Sequence, residues 1–146
     1  MKQVAVNRKA RFNYQVEEEI EAGMALLGSE VKSLRNASVN LTDGFVIEKK
    51  GELFLNNVHI SPYKGANNFN HDPMRSRKLL LHKKQITKLL GKMQMKGLSL
   101  IPLSIYFNEK NIAKVQIGVC KGKKLYDKRA SIKERDEKRR VQREED

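Results

Sequence analysis

Leu98-Ser99-Leu100-Ile101-Pro102-Leu103-Ser104-Ile105-Tyr106-Phe107 and Ile112-Ala113-Lys114-Val115-Gln116-Ile117-Gly118-Val119 are two apolar runs separated by Asn108-Glu109-Lys110-Asn111. Runs of this length, rich in branched and aromatic residues and joined across turn formers, predict an antiparallel pair of strands. Pro102 has no N–H for a ladder, so it is expected at an edge or a bulge. A second pair lies upstream: Phe45-Val46-Ile47-Glu48 and residues 52–60 flank Lys49-Lys50-Gly51, which has the length and the glycine of a hairpin turn. Residues 14–20 alternate again, placing Tyr14, Val16 and Ile20 on one face with Glu18 as the exception. This strand is expected to continue through Gly23 to about Leu27, with a bulge or bend at the glycine.

Helical spacing appears twice. Residues 28–35 read as a short helix with Ser29 as N-cap and Val31 and Leu34 turned inward. Farther on, Ile86, Leu89, Leu90 and Met93 recur at i, i+3, i+4 and i+7, while Lys84, Lys88, Lys92 and Lys96 recur every four residues. Residues 64–74, with Gly65, Asp72 and Pro73, read as a loop. The pattern amounts to five or six strands with two or three helices. A mainly β fold with α is therefore expected: an antiparallel barrel like the oligonucleotide-binding (OB) fold, with two to three attached helices.

A chain of 146 residues holds one such core, assigned to 1–120. Residues 121–146 carry 11 Lys or Arg and seven Asp or Glu with few apolar residues, so they read as a basic tail, disordered when free. The formal charge is +13, and residues 1–120 alone hold 19 Lys/Arg against 10 Asp/Glu, leaving +9 on the folded part. A basic domain with a basic tail points to a polyanion, most directly RNA. No membrane partner is expected: no apolar run approaches the roughly 20 residues of a spanning helix, there is no lipidation signal, and the N-terminus lacks a signal-peptide core, so a cytoplasmic protein is expected. Cys120 closes a strand pattern and reads as a buried thiol; His59, His71 and His82 are too scattered for a zinc set. No metal or cofactor is expected.

Three constellations bear on chemistry. Asn7-Arg8-Lys9-Ala10-Arg11-Phe12-Asn13-Tyr14 interleaves cations with aromatics, the mix that holds phosphates and stacks on bases. Residues 73–108 contain Arg75, Arg77, Lys78, Lys83, Lys84, Lys88, Lys92 and Lys96 without one acidic residue, an imbalance that a bound anion would relieve. Glu17, Glu19 and Glu21 alternate along a strand and could hold magnesium in a nuclease, yet nothing supplies a nucleophile or its base. A solvent-facing acidic strand, or acceptors for Arg or guanine donors, is the simpler reading, and no enzyme is expected.

Taken in order, several motifs resemble the SsrA-binding protein (small protein B, SmpB) family. They are Asn7-Arg8-Lys9-Ala10-Arg11-Phe12, Glu21-Ala22-Gly23, residues 28–35, Asn57-Val58-His59-Ile60-Ser61-Pro62-Tyr63, residues 72–81, and Lys121-Gly122-Lys123-Lys124-Leu125-Tyr126-Asp127-Lys128-Arg129. The resemblance covers nearly the whole chain. It implies an OB-like barrel that binds the tRNA-like domain of transfer-messenger RNA (tmRNA) and brings it to stalled ribosomes for trans-translation, the rescue of ribosomes on messages without a stop codon. It places RNA binding on Asn7, Glu21 and Leu80, with Arg75, Arg77 and Lys78 close by; Arg8, Lys9 and Arg11 join them as flanking cations. It places ribosome contacts, at the decoding centre and empty messenger channel, on Gly122, Lys123, Lys124, Tyr126, Asp127, Lys128 and Arg129. Elongation factor Tu is implied only indirectly, through aminoacylated tmRNA, and a monomer is expected. Where the family often has His, this chain has Tyr126, which keeps a stacking face without a proton that titrates near neutrality. Another OB-fold ribosomal or initiation-factor-like protein is the alternative.

Overall fold

The structure is a computed structural model, and residues 1–64, 70–95 and 97–122 are described. In chain order come β1 (Lys2–Val6), α1 (Arg8–Asn13), β2 (Tyr14–Met24), α2 (Gly28–Arg35), β3 (Val39–Asn40) and β4 (Phe45–Lys49). They are followed by β5 (Glu52–Asn56), β6 (His59–Ile60), β7 (Arg77–Leu80), α3 (Lys83–Met93), β8 (Leu98–Phe107) and β9 (Ala113–Gly122). Seven strands form one antiparallel sheet in the order β1-β8-β9-β2-β7-β5-β4, and β3 pairs with β6 apart from it. The far strand β4 lies back against β8, so the sheet curls into the barrel-like form that the hairpin pattern predicts. The main core fills this curl, with Leu34, Leu53, Ile105, Val115 and Ile117 all inaccessible to solvent.

The two hairpins form where expected. β8 and β9 pair from Leu98↔Lys121 to Phe107↔Ala113, and in their turn the Asn108 side chain accepts the Lys110 and Ile112 N–H groups. Lys50 and Gly51, both at positive φ (53° and 77°), make the two-residue turn between β4 and β5. The second hairpin ends sooner than its apolar run: Asn57, at φ 61°, breaks the strand, and His59–Ile60 pair with β3 instead. Pro102 sits at a register shift between Pro102 and Ser104, a bulge as expected, but β8 is interior to the sheet, between β1 and β9. The proline is tolerated because pairing with β1 stops at Val6↔Ser104.

The bulge in β2 lies between Val16 and Glu18 rather than at Gly23. This changes the reading of the strand. Val16 opposes Cys120 and Ile20 opposes Ile117, so the extra residue, Glu17, puts Tyr14 and Val16 on one side of the sheet and Ile20 and Ala22 on the other. Tyr14 and Val16 join Ala10, Ile101, Leu103 and Cys120 in a small second core under α1. Burial there raises the Cys120 thiol to about 11, consistent with a structural thiol.

α2 begins two residues earlier than the Ser29 cap would place it, with Leu27 at the N-cap. Its first turn is capped by Glu30, whose carboxylate accepts the Leu27 N–H at 2.8 Å, while Ser29 Oγ shares a hydrogen bond with His71 Nδ1. Leu34 is buried and Val31 packs on the core, as the helical spacing requires. α3 buries Leu89 and leans Ile86, Leu90 and Met93 on the core; Lys96 lies outside the described residues. Strand β1, helix α1 and strand β7, at five, six and four residues, are too short to show a period of their own in the sequence.

Gly44 shows how tightly the barrel closes. A Cβ there would stand 2.7 Å from Val58 Cγ2 and 2.8 Å from Pro102 Cγ, and Val58 is wholly buried. Gly44→Ala should therefore destabilise the fold by about 1–3 kcal/mol through overpacking, read as a lower urea midpoint with an unchanged slope.

Candidate nucleic-acid interface

Pairing parity sorts the sheet into an inner and an outer face. Ile20, Ala22, Leu79, Ile105 and Val115 face the core, so their neighbours Glu21, Gly23, Leu80, Tyr106 and Lys114 face out. Lys78, two residues before Leu80, shares that outer side. Glu21 opposes Gln116, Gly23 opposes both Lys114 and Leu80, and Tyr106 opposes Lys114. One strip thus runs across β8, β9, β2 and β7.

At the β7 end the strip opens into a groove of about 930 Å³ between the sheet and the start of α3, lined by Glu21, Gly23, Lys78, Leu80, Lys83 and Lys114 among others. Gly23 keeps its floor low: a Cβ there would come within 3.2 Å of Leu80 Cβ. Leu80 is 52% exposed, an apolar platform among cations. α3 starts at the groove because Gln85 reaches back to accept the His82 N–H at 3.1 Å. This arrangement offers positive charge for phosphates, an apolar surface for a base or ribose, and one carboxylate for a donor.

Glu21, Lys78 and Leu80, widely separated in sequence, therefore meet at one groove. Arg8 and Lys9 are exposed on α1, which covers the other end of the same outer face. Arg11 is also exposed and pairs with Glu19 at 2.5 Å. Gly122, the last described residue, is exposed and pairs with Tyr14; Lys123, Lys124, Tyr126, Asp127, Lys128 and Arg129 lie outside the described residues.

Three expected contacts turn out to be internal. Arg77 has no exposed surface: its Nε donates to Glu30 at 2.6 Å, its NH1 to Val58 O at 2.5 Å and its NH2 to Pro73 O at 3.1 Å. On an alternating strand, Lys78 and Leu80 point out only if Arg77 and Leu79 point in, so Arg77 is withdrawn from direct RNA contact. Arg75 is only partly exposed and donates to Glu30 at 2.5 Å and to Ala25 O at 3.0 Å. Asn7 is 3% exposed; its Oδ1 accepts the Ala10 N–H to cap α1, and its Nδ2 donates to Leu41 O and Pro102 O. Asn7 thus fixes α1 and the β8 bulge rather than presenting its amide outward.

Glu30 joins both arginines in one buried group. Burial alone would raise its carboxyl, but the hydrogen bonds from Arg75, the Leu27 N–H and Arg77 prevail and hold it below the ordinary carboxylate value. The triad ties α2 to β7 and so sets the strand that carries Lys78 and Leu80. The basic run 73–108 is likewise less unbalanced in space than in sequence: Lys88 bonds Glu18 at 2.5 Å and Lys78 stands 3.7 Å from Glu52.

The carboxylate row does not assemble a metal site. Glu17 is the bulged residue, Glu19 pairs with Arg11 and Glu21 accepts from the Tyr106 hydroxyl, and among the described residues no three His, Cys, Asp or Glu come together to hold a metal. Tyr106 and Lys114 were missed as site residues. The signal was present: Lys114 and Gln116 are the polar positions of β9's alternation, which marks its outer face.

Among the described residues, no helix is long and apolar enough to cross a membrane. The SmpB protein family model matches residues 4–146. An SsrA-binding protein from Wolbachia pipientis subsp. Culex pipiens is 60% identical over 93% of this chain and 91% of its own length. One from Listeria monocytogenes serotype 4b is 54% identical over 97% of this chain and 92% of its own length. A solved chain from "tmRNA-SmpB: a journey to the center of the bacterial ribosome" is similar with a TM-score of 0.70 and 51% identity, covering 83% of this chain and 85% of that one. On this agreement of motifs, fold and relatives, the chain belongs to the SmpB protein family.

Proposed function

We propose that the chain binds the tRNA-like domain of tmRNA through the outer strip of its sheet and delivers it to stalled ribosomes for trans-translation. The observation that carries this reading is the convergence of Glu21, Lys78 and Leu80 on one groove. Family motifs from two distant stretches meet there on the side of the sheet that also carries α1. The protein acts as a non-enzymatic adaptor in the cytoplasm, as a monomer, and it meets elongation factor Tu through aminoacylated tmRNA. Gly122, Lys123, Lys124, Tyr126, Asp127, Lys128 and Arg129 supply the ribosomal contacts.

The test is direct binding of the tRNA-like fragment to the full chain. Lys78→Ala with Leu80→Ser removes one phosphate-holding charge and about half a leucine's worth of apolar contact. The pair should weaken binding about 10–100-fold and reduce its salt dependence, because fewer counterions are released. Both residues are exposed, so the unfolding free energy should stay within about 0.5 kcal/mol of the parent. Unchanged RNA affinity in this variant would refute the groove as the binding site. Enrichment of ribosomal RNA without tmRNA in a pulldown would instead favour the ribosomal-protein reading.

A further inference from the structure

Glu21 is the one carboxylate in the groove that no cation serves. Glu18, Glu19, Glu30 and Glu52 each have a Lys or Arg nitrogen within 4 Å, whereas among the described residues Glu21 makes no ion pair. Its only hydrogen-bond partner there is the Tyr106 hydroxyl, which donates to Oε2. The tyrosine ring is 6% exposed and held in the sheet, and Gln116 Oε1, at 3.4 Å, offers its hydroxyl a second acceptor. Burial, reinforced by the bond to Glu21 and its charge, pushes the phenol above its ordinary range, so it remains a donor.

An unpaired carboxylate in an RNA groove repels phosphate. It helps binding only if it meets an N–H or O–H donor. A-form RNA offers protein a wide minor groove, and the donors displayed there are the guanine 2-amino group and the ribose 2′-hydroxyl. An exposed glutamate on a strand is otherwise free to turn among rotamers, and fixing it on binding weakens the complex. A rigid donor on one oxygen removes that freedom and leaves the other oxygen open.

We infer that Tyr106 is a positioning residue for RNA recognition: its hydroxyl fixes the Glu21 carboxylate so that the free Oε1 accepts from a guanine 2-amino group or a ribose 2′-hydroxyl of the bound RNA. The inference rests on the outer strip being the RNA face. It adds a residue that touches no RNA and a chemical class for the donor that Glu21 reads.

A double-mutant cycle tests it on the full chain with the tRNA-like fragment at fixed salt. Tyr106→Phe deletes only the hydroxyl and should weaken binding about 3–10-fold, Glu21→Gln about tenfold, and the double variant no more than about twofold beyond Glu21→Gln alone. A purely structural role for the phenol would leave the two losses independent and multiplying, which would overturn the inference. Wild-type affinity in Tyr106→Phe beside a weak Glu21→Gln would overturn it too, while leaving the groove intact. Loss of the groove reading itself has a different signature: Lys78→Ala and Leu80→Ser would also be silent. Fragments carrying inosine for guanosine, or 2′-deoxy sugars, identify the donor, because the correct one erases the Glu21→Gln penalty. If neither erases it, Oε1 is not offered to that RNA edge and the inference fails.

Discussion

Glu30→Gln should cost about 3–5 kcal/mol of stability, because it leaves the Arg77 guanidinium buried without a counter-charge. Arg77 and Glu30 both have side chains with no exposed surface, and Arg77 is held by one carboxylate and two carbonyls. Glutamine preserves the volume and one acceptor but not the charge. Burial already pulls the Arg77 guanidinium below its ordinary value, with Glu30 opposing that pull, so removing the carboxylate removes the main compensation. Urea unfolding should register the loss as a lower midpoint. The same triad predicts a pH dependence. The Glu30 carboxyl lies lower in the fold than its ordinary value of 4.5, so the stability it contributes is complete above that pH and disappears as pH falls through the lower, folded value. Glu30→Gln should flatten this acid limb, and an unchanged midpoint or an unaltered acid limb would show that the triad is dispensable. RNA affinity should also fall, since β7 carries Lys78 and Leu80.

Truncation after Arg129 should abolish peptide tagging on stalled ribosomes while leaving affinity for free tmRNA within a few-fold. The groove and the outer strip lie wholly within residues 1–122, and residues 1–120 keep a charge of +9 without the tail. Residues 130–146 hold six Lys or Arg and six Asp or Glu, a balance too even to dominate phosphate binding. A tagging assay and a binding titration on the same truncated chain separate the two steps. A large loss of free tmRNA affinity would refute this division of labour.

The elements most legible in the chain are β8, β9 and α3, whose apolar patterns run over about ten residues each, and β4, which the glycine turn after it marks. Period alone failed at β2, where Tyr14, Val16 and Ile20 keep an even spacing in the letters while Glu17 moves Val16 and Ile20 to opposite faces. No single-sequence pattern distinguishes that bulge from a regular strand, because the missing partner residue lies on β9. The site was half legible for a related reason. Lys78 and Leu80 could be named from the motif, but Arg77 looks like any other cation until β7 is known to be a strand and Glu30 is seen beneath it. Asn7 behaves likewise: its partners, Leu41 and Pro102, are 34 and 95 residues away. Tyr106 acquires its meaning only from lying diagonally across β9 from Glu21.

Strand β9 also sets a distance. It runs from Lys114, in the groove, to Gly122, the last described residue, which pairs with Tyr14 at the start of β2. Eight residue steps at about 3.3 Å separate the two by roughly 26 Å, through a ladder paired on both edges. The sheet is therefore a rigid spacer between the RNA grip and the root of the tail. With RNA seated in the proposed groove, Gly122, the residue that precedes 123–146, is held at a fixed place relative to it.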